Sequence, residues 1–368
     1  MKIGILTFHC AHNYGAVLQT YALMNFCRSL GHEVYVIDYR PIYLTKVYDL
    51  FSLSHWIDHN PQKCIQKVIN NIMYFSEQRK RYKAFATFIN RLNLIPVKSL
   101  VESRLDCILI GSDQVWSTEI AGCFDKLFWG QFPKNGLKII SYAASCGRAI
   151  WNEAETLKVR SFLEQFDSIS VREAELQNYL NQVIDKPVYC VLDPTLLVGE
   201  KVFDLISSSL VIPKKYVLTY EVAYMPRLHE YAHDIAKKLG AEVISLEAYP
   251  SYNKVISNPF RTASPNDFIA LFKDASYVIT NSFHGTSFSI IYKRNFYTLK
   301  FGTKTDERSE SLLNLLSLSN RMISVGDVVD YDSIDYGCIS GKVENAIISS
   351  KEFLLNSLLS LIHISEPT

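Results

Sequence analysis

Short runs of consecutive apolar residues, each breaking off at polar ones, set the rhythm of this chain. The opening reads KIGILTF, a polar HCAHNYGA, a segment VLQTYALMNFCRSLG and then HEVYVIDY. Val17, Leu18, Tyr21 and Met24 share one helical face, Gly31 is a helix stop, and the flanking runs are apolar and β-branched. That pattern predicts a β-α-β unit, and its continuous apolar strands predict a parallel sheet covered on both faces. Residues 43 to 95 are aromatic, basic and helical in pattern, an insertion over that sheet. The rhythm resumes in RLDCILIGSDQVWS, LKIISYAASCG, FDSISVREAELQNYL and PVYCVLDPTLL.

A second set of alternating runs follows Asp193 and Pro194: KKYVLTYEV, AEVISLEA, SYVIT and NFYTLK, with helices between them. Ser264, Pro265 and Asp267 form a helix N-terminal signal. The expected fold is α/β, with two Rossmann-like domains facing across a cleft in a GT-B-like arrangement. Residues 1–195 form the first domain, 196–345 the second, donor-binding one, and 346–368 a C-terminal helix and tail. The last residues, SLIHISEPT, break the helical pattern and look like translated adaptor sequence on a truncated reading frame, so no function is read from them.

Composition narrows the classes. Hydrophobic residues make up 48% and charged residues 20%, enough apolar surface for substantial cores. With 38 Lys and Arg against 37 Asp and Glu, nothing points to a nucleic-acid partner, and anion recognition has to be local. Eight scattered cysteines without paired spacing are expected as reduced core residues of a cytoplasmic protein. No run reaches the roughly 18 apolar residues of a membrane span, and KIGILTF is too short for a secretory signal. Peripheral membrane contact is left open for YRPIYLTKVYDLFSLSHWI.

In open α/β sheets the ligand crevice lies at the carboxyl ends of the strands, so the polar tips hold the candidate chemistry. In YVITNSFHGTSF a helix is expected to start near Gly285 or Thr286, its free N–H groups making an anion site. Gly285 permits close approach, Thr286 and Ser287 add hydroxyls, and His284 at the lip is a candidate acid or phosphate donor. The plain alternative is a buried histidine bonded to a carbonyl. Arg172 in SISVREAE can grip a carboxylate or phosphate, or pair with a neighbouring acid. Ser112 and Asp113 in LIGSDQVWS suit sugar hydroxyls, Asp113 as a base, although on these residues alone an Asx turn capping the next helix is the stronger reading. Asn13 and Gln19 flank Gly15 in a loop without the G-x-G-x-x-G of dinucleotide binders, so no NAD or FAD is inferred. His9, Cys10 and His12 are too closely spaced for one tetrahedral ion, and no metal is assigned. Lys300, Lys304 and Arg308 sit on a polar loop that either is simply solvated or closes over an anion.

In order and spacing, HNYGAVLQTYAL, GSDQVW, SYAASCG, SVREAE, VLDPTLL and TNSFHGTSFS resemble the polysaccharide pyruvyl transferase family, from about residue 1 to residue 322. The resemblance implies transfer of the enolpyruvyl-derived group of phosphoenolpyruvate onto a saccharide, giving a pyruvate ketal in bacterial exopolysaccharide or capsule biosynthesis. Phosphoenolpyruvate is then a donor substrate and no cofactor is needed; the acceptor is a saccharide, with a lipid-carrier-linked one compatible. Arg172 matches the family's phosphoenolpyruvate-contacting arginine, and His284 the histidine of its Arg-Leu-His-Gly motif. This chain departs at Ser282, where the motif has arginine, and at Phe283; Lys300, Lys304 or Arg308 is the candidate replacement cation. A nucleotide-sugar glycosyltransferase and a non-catalytic glycan-binding family member are the competing classes.

Overall fold

The computed structural model describes residues 1–50, 61–102, 105–134, 136–147, 151–249 and 259–359. The suspect final nine residues and part of the segment considered for membrane contact, residues 51–57, lie outside these.

Each of the apolar runs becomes a strand, and two sheets result. The first holds β1 (Lys2–Leu6), β2 (Glu33–Asp38), β3 (Leu94–Pro96), β4 (Cys107–Ile110), β5 (Lys138–Ala144), β6 (Ser168–Val171) and β7 (Val188–Cys190). Their order is β3-β2-β1-β4-β5-β6-β7, every neighbouring pair parallel. The second holds β8 (Tyr216–Glu221), β9 (Glu242–Glu247), β10 (Tyr277–Thr280), β11 (Asn295–Leu299) and β12 (Met322–Ile323), ordered β12-β11-β10-β8-β9 and likewise parallel. Every residue of β4, β5, β8 and β10 is buried, as strands covered by helices on both faces require. The chain is thus α/β with two Rossmann-like sheets in a GT-B-like arrangement.

Strand order reverses beside β1 and β4 in the first sheet and beside β8 and β10 in the second. At such switch points adjacent loops diverge and leave a crevice. Asn13 and Asp113 lie beyond β1 and β4, Val222 and Asn281 beyond β8 and β10, and all four line one cleft.

The halves share an apolar core. Tyr14, at the start of the Tyr14–Ser29 helix, stacks on Phe268 at 4.9 Å and meets Tyr220 edge-on at 6.0 Å, both from the second half. Burying each such ring stabilises the join by about 1.5–3 kcal/mol. The long Pro61–Ile89 helix lies across the join: Arg81 donates to the Tyr14 hydroxyl at 2.5 Å and to the Ala248 carbonyl at 2.8 Å. The Tyr14 hydroxyl in turn donates to the Ala263 carbonyl. Ser264 and Asp267 form the expected reciprocal cap of the Pro265–Lys273 helix. The Tyr336–Leu359 helix begins on the second half, where the Tyr336 hydroxyl donates to the Ser289 and Arg294 carbonyls. It ends on the first, with the Ser350 hydroxyl accepting from the Leu192 N–H and Phe353 against Tyr189.

Candidate active site

The cleft between the sheets has a volume of about 450 Å³ and takes lining from both halves, including Asn13, Asp113, Ser282, His284, Tyr249 and Arg308. Its second-half wall is the first turn of the Phe283–Ile291 helix. That helix starts two to three residues earlier than the sequence pattern suggested. Ser282 is extended and its carbonyl already accepts the Thr286 N–H at 2.9 Å, so the turn closes at once.

This earlier start changes the roles of the residues behind it. The Thr286 hydroxyl bonds the Ser282 carbonyl and the Thr298 hydroxyl, and the Ser287 hydroxyl donates to the Phe283 carbonyl. Both hydroxyls are therefore used within the fold. Gly285 faces protein: a Cβ there would lie 2.1 Å from the Thr280 hydroxyl oxygen and 3.0 Å from Tyr220. Its hydrogen lets helix and strand pack closely; close approach of a ligand is not what it serves.

His284 is 6% exposed, and its Nε2 has no hydrogen-bond partner. A Cβ on Gly15 would come within 2.0 Å of its Nδ1, so the ring lies directly over that glycine across the cleft. Nε2 sits 3.7 Å from Asp193 Oδ2, an electrostatic contact rather than a hydrogen bond.

Asp193 is the hub of the site, and sequence reasoning did not select it. Its Oδ1 caps the Pro194–Asp204 helix, accepting from the Thr195 N–H and hydroxyl. Its Oδ2 accepts from Ser112 Oγ at 2.9 Å and Arg172 Nη1 at 2.9 Å. Burial presses the carboxyl upward, but His284, Arg172 and the Thr195 N–H outweigh that and hold it well below the ordinary carboxylate range. Asp193 is therefore a buried, ionised carboxylate. The motif VLDPT carried a signal, an aspartate at a strand end before proline, but a helix cap accounts for it fully without the partners from elsewhere in the chain.

Arg172 stands behind the cleft lining. It is held by Asp193, lies 3.6 Å from Glu173 and 3.9 Å from Asp113, and covers the Phe283 ring at 4.4 Å. Its Nε and Nη2 are buried without hydrogen bonds, and the arginine also borders a second cavity of about 440 Å³. Burial raises the Glu173 carboxyl, partly countered by Arg172 and by a 2.5 Å bond from the Ser145 hydroxyl.

Among the described residues, the Lys or Arg that lines the cleft wall is Arg308, in the first turn of the Glu307–Leu315 helix. Its Nε is buried and unpartnered, and burial and the Arg172 charge press its guanidinium downward. Lys300 is held by Glu310 at 2.6 Å, and Lys304 begins a short turn whose first side chain lies outside the described residues. The loop is gathered around Asp306, which accepts the N–H groups of Phe301, Gly302 and Thr303.

The remaining candidates divide. Asp113 lines the cleft in a left-handed conformation, φ 76°, its Oδ1 accepting the Gln114 N–H. Asn13 lines it too while capping the Tyr14–Ser29 helix through the Ala16 N–H. Ser112 is buried on Asp193, and Gln19 is buried on Thr7, Ala16 and Thr20. His9 bonds Asp38 at 2.9 Å, whereas His12 nests among the rings of Tyr48, Tyr82 and Phe85.

Residues 13–300 match the model of a family described as polysaccharide pyruvyl transferase. No curated protein matches the chain. Among solved structures, a UDP-GlcNAc 2-epimerase from Methanocaldococcus jannaschii is 12% identical, with 94% of this chain and 92% of that one covered and a TM-score of 0.48. A UDP-N-acetylglucosamine 2-epimerase from Rickettsia bellii is 12% identical over 99% and 97%, with a TM-score of 0.47. The ADP-heptose LPS heptosyltransferase II of E. coli is 12% identical over 95% and 100%, with a TM-score of 0.38. Likenesses this loose say nothing of the reaction, and the fold rests on the two sheets themselves.

Proposed function

The chain belongs to the polysaccharide pyruvyl transferase family, and from that premise we propose that it moves the enolpyruvyl-derived group of phosphoenolpyruvate onto a saccharide diol, forming a pyruvate ketal of a bacterial surface polysaccharide. The observation that carries this reading is His284, buried in the cleft wall with an unpartnered Nε2 beside the ionised Asp193. A buried imidazole next to a fixed carboxylate is suited to hold a proton and deliver it to a reacting carbon.

The chemistry runs in two halves. His284 protonates the methylene carbon of phosphoenolpyruvate, and the adjoining carbon becomes an oxocarbenium-like centre. One sugar hydroxyl adds there and loses its proton, with Asp113 placed on the cleft wall to accept it. The C–O bond to phosphate then breaks, inorganic phosphate leaves, and the second hydroxyl adds and loses its proton to close the ketal. Phosphoenolpyruvate and the diol give ketal and phosphate with no redox change. Arg308 and the free N–H groups at the start of the Phe283–Ile291 helix hold the donor's anionic groups. Arg172 supports them from behind, fixing Asp193 and facing Asp113. Arg308 thereby supplies the positive charge that Ser282 lacks.

Phosphate release from phosphoenolpyruvate, with the ketal methyl group observed by NMR, tests the reading over a panel of saccharides. His284→Gln should lower turnover by about a hundredfold to ten-thousandfold. Turnover that requires a nucleotide sugar and ignores phosphoenolpyruvate would make the protein a glycosyltransferase instead.

A further inference from the structure

The Pro61–Ile89 helix carries charge and apolar surface that the cleft does not use. Six of its residues are Lys or Arg and one is Glu, in a chain where the totals are 38 against 37. Its inner face is anchored by Arg81 and by the buried Phe85, Phe88 and Ile89. Its outer face begins with Ile65, Ile69, Ile72 and Met73, which are 62, 45, 65 and 59% exposed. Their three- and four-residue spacing places them on one stripe. Further along the same face stand exposed Arg79, Lys80 and Lys83, while Tyr82 turns toward His12 of the first half. The only acid of the helix, Glu77, pairs with Arg261 of the second half at 3.2 Å.

We propose that this outer face is a docking surface for an anionic lipid bilayer. Isoleucine and methionine enter the boundary of the acyl chains while the neighbouring cations meet lipid headgroups, the division of labour of an interfacial helix. Among the described residues no helix is long and apolar enough to cross a membrane, so this one lies along the surface. A second copy of the chain fits the face poorly. Paired antiparallel, it lays Arg79, Lys80 and Lys83 on the isoleucine stripe; paired parallel, it stacks cations on cations. Tyr48, from the described part of the segment considered for membrane contact, meets this helix at His12, whose ring lies 4.9 Å from Tyr48 and 4.8 Å from Tyr82. Tyr48 lines the cleft, so the helix that carries the docked face borders the cleft wall on its inner side. Delivery of a lipid-linked acceptor to the cleft rests on the pyruvyl-transfer reading; the docking surface does not.

Co-sedimentation of the full chain with vesicles of phosphatidylglycerol in phosphatidylcholine, against phosphatidylcholine alone, is the test. The protein should pellet with the anionic vesicles only, and less as salt rises. Lys80→Gln with Lys83→Gln should weaken binding about fivefold per charge, and Ile69→Gln with Ile72→Gln by at least about tenfold. All four positions are solvent-facing, and unchanged thermal unfolding will confirm that the variants fold. No pelleting of the wild type at low salt, or equal pelleting of wild type and both variants, overturns the proposal. A dimer that the Ile69→Gln, Ile72→Gln variant dissolves also overturns it, assigning the face to a second copy. Vesicle binding by a protein that does not bind phosphoenolpyruvate leaves the surface standing and removes the donor reading.

Discussion

A single hydrogen decides where the candidate acid sits. Gly15 belongs to the first half and His284 to the second, yet a Cβ on Gly15 would overlap the imidazole at 2.0 Å from Nδ1. A contact that short is relieved only by moving the ring or parting the halves, because the glycine is held in a buried helix turn. Gly15→Ala should therefore shift His284 by the order of an ångström and reduce turnover about a hundredfold. The purified variant's phosphate release, compared with wild type, checks this; near-normal turnover would show that the position of His284 over Gly15 is not required. Asp193 and Gly15 escaped sequence reasoning for the same reason. Each has a sufficient local role, helix cap and helix turn, and the partner that gives it a second role comes from a distant part of the chain. The positions of His284, Asp113 and Asn13 in the cleft wall were legible because each lies in the segment that follows a strand's carboxyl end, where a parallel sheet opens. Arg308 was legible only as one of three cations on a loop. Setting Arg308 apart from Lys300 needed the Lys300 pairing with Glu310 and the position of the Glu307–Leu315 helix.

Elements repeat that division. The strands follow from continuous apolar runs, and the Ser264 cap from its spacing, since both are local rules. The two-residue β12 and the edge strand β3 have too little sequence of their own to announce themselves. The Pro61–Ile89 helix was visible as a helical insertion, whereas its function as a strap depends on Arg81 reaching Tyr14 and Ala248. Where that helix meets the first half, burial and the charges of Arg81 and Arg40 press the His12 imidazole from 6.5 down to about 4. Below pH 6.5 the unfolded chain takes up a proton that folded His12 refuses until about pH 4. Its contribution to stability is thus complete above pH 6.5 and drains away as pH falls toward 4. Between pH 7 and pH 5 the wild type should lose about 2 kcal/mol more than His12→Phe, whose ring suits the aromatic nest and has no proton to refuse. Denaturant unfolding at the two pH values measures the difference, and equal losses would place His12 in contact with water.

At the scale of the whole molecule, two parallel sheets bring their switch points face to face, and a cleft forms to which neither half is sufficient. The first supplies Asp113 and Asn13 together with the Asp193–Arg172 pair behind them; the second supplies His284, Arg308 and a helix N-terminus. Arg308 and the N-terminus of the Phe283–Ile291 helix on one wall face Asp113 on the other. The most direct test is calorimetric titration of the protein with phosphoenolpyruvate, repeated on Arg308→Ala. Saturable binding in the wild type, weakened tenfold or more in the variant, about 1.4 kcal/mol, is the predicted result. No binding of phosphoenolpyruvate by the wild type, or equal binding by both proteins, would contradict the donor site assigned here.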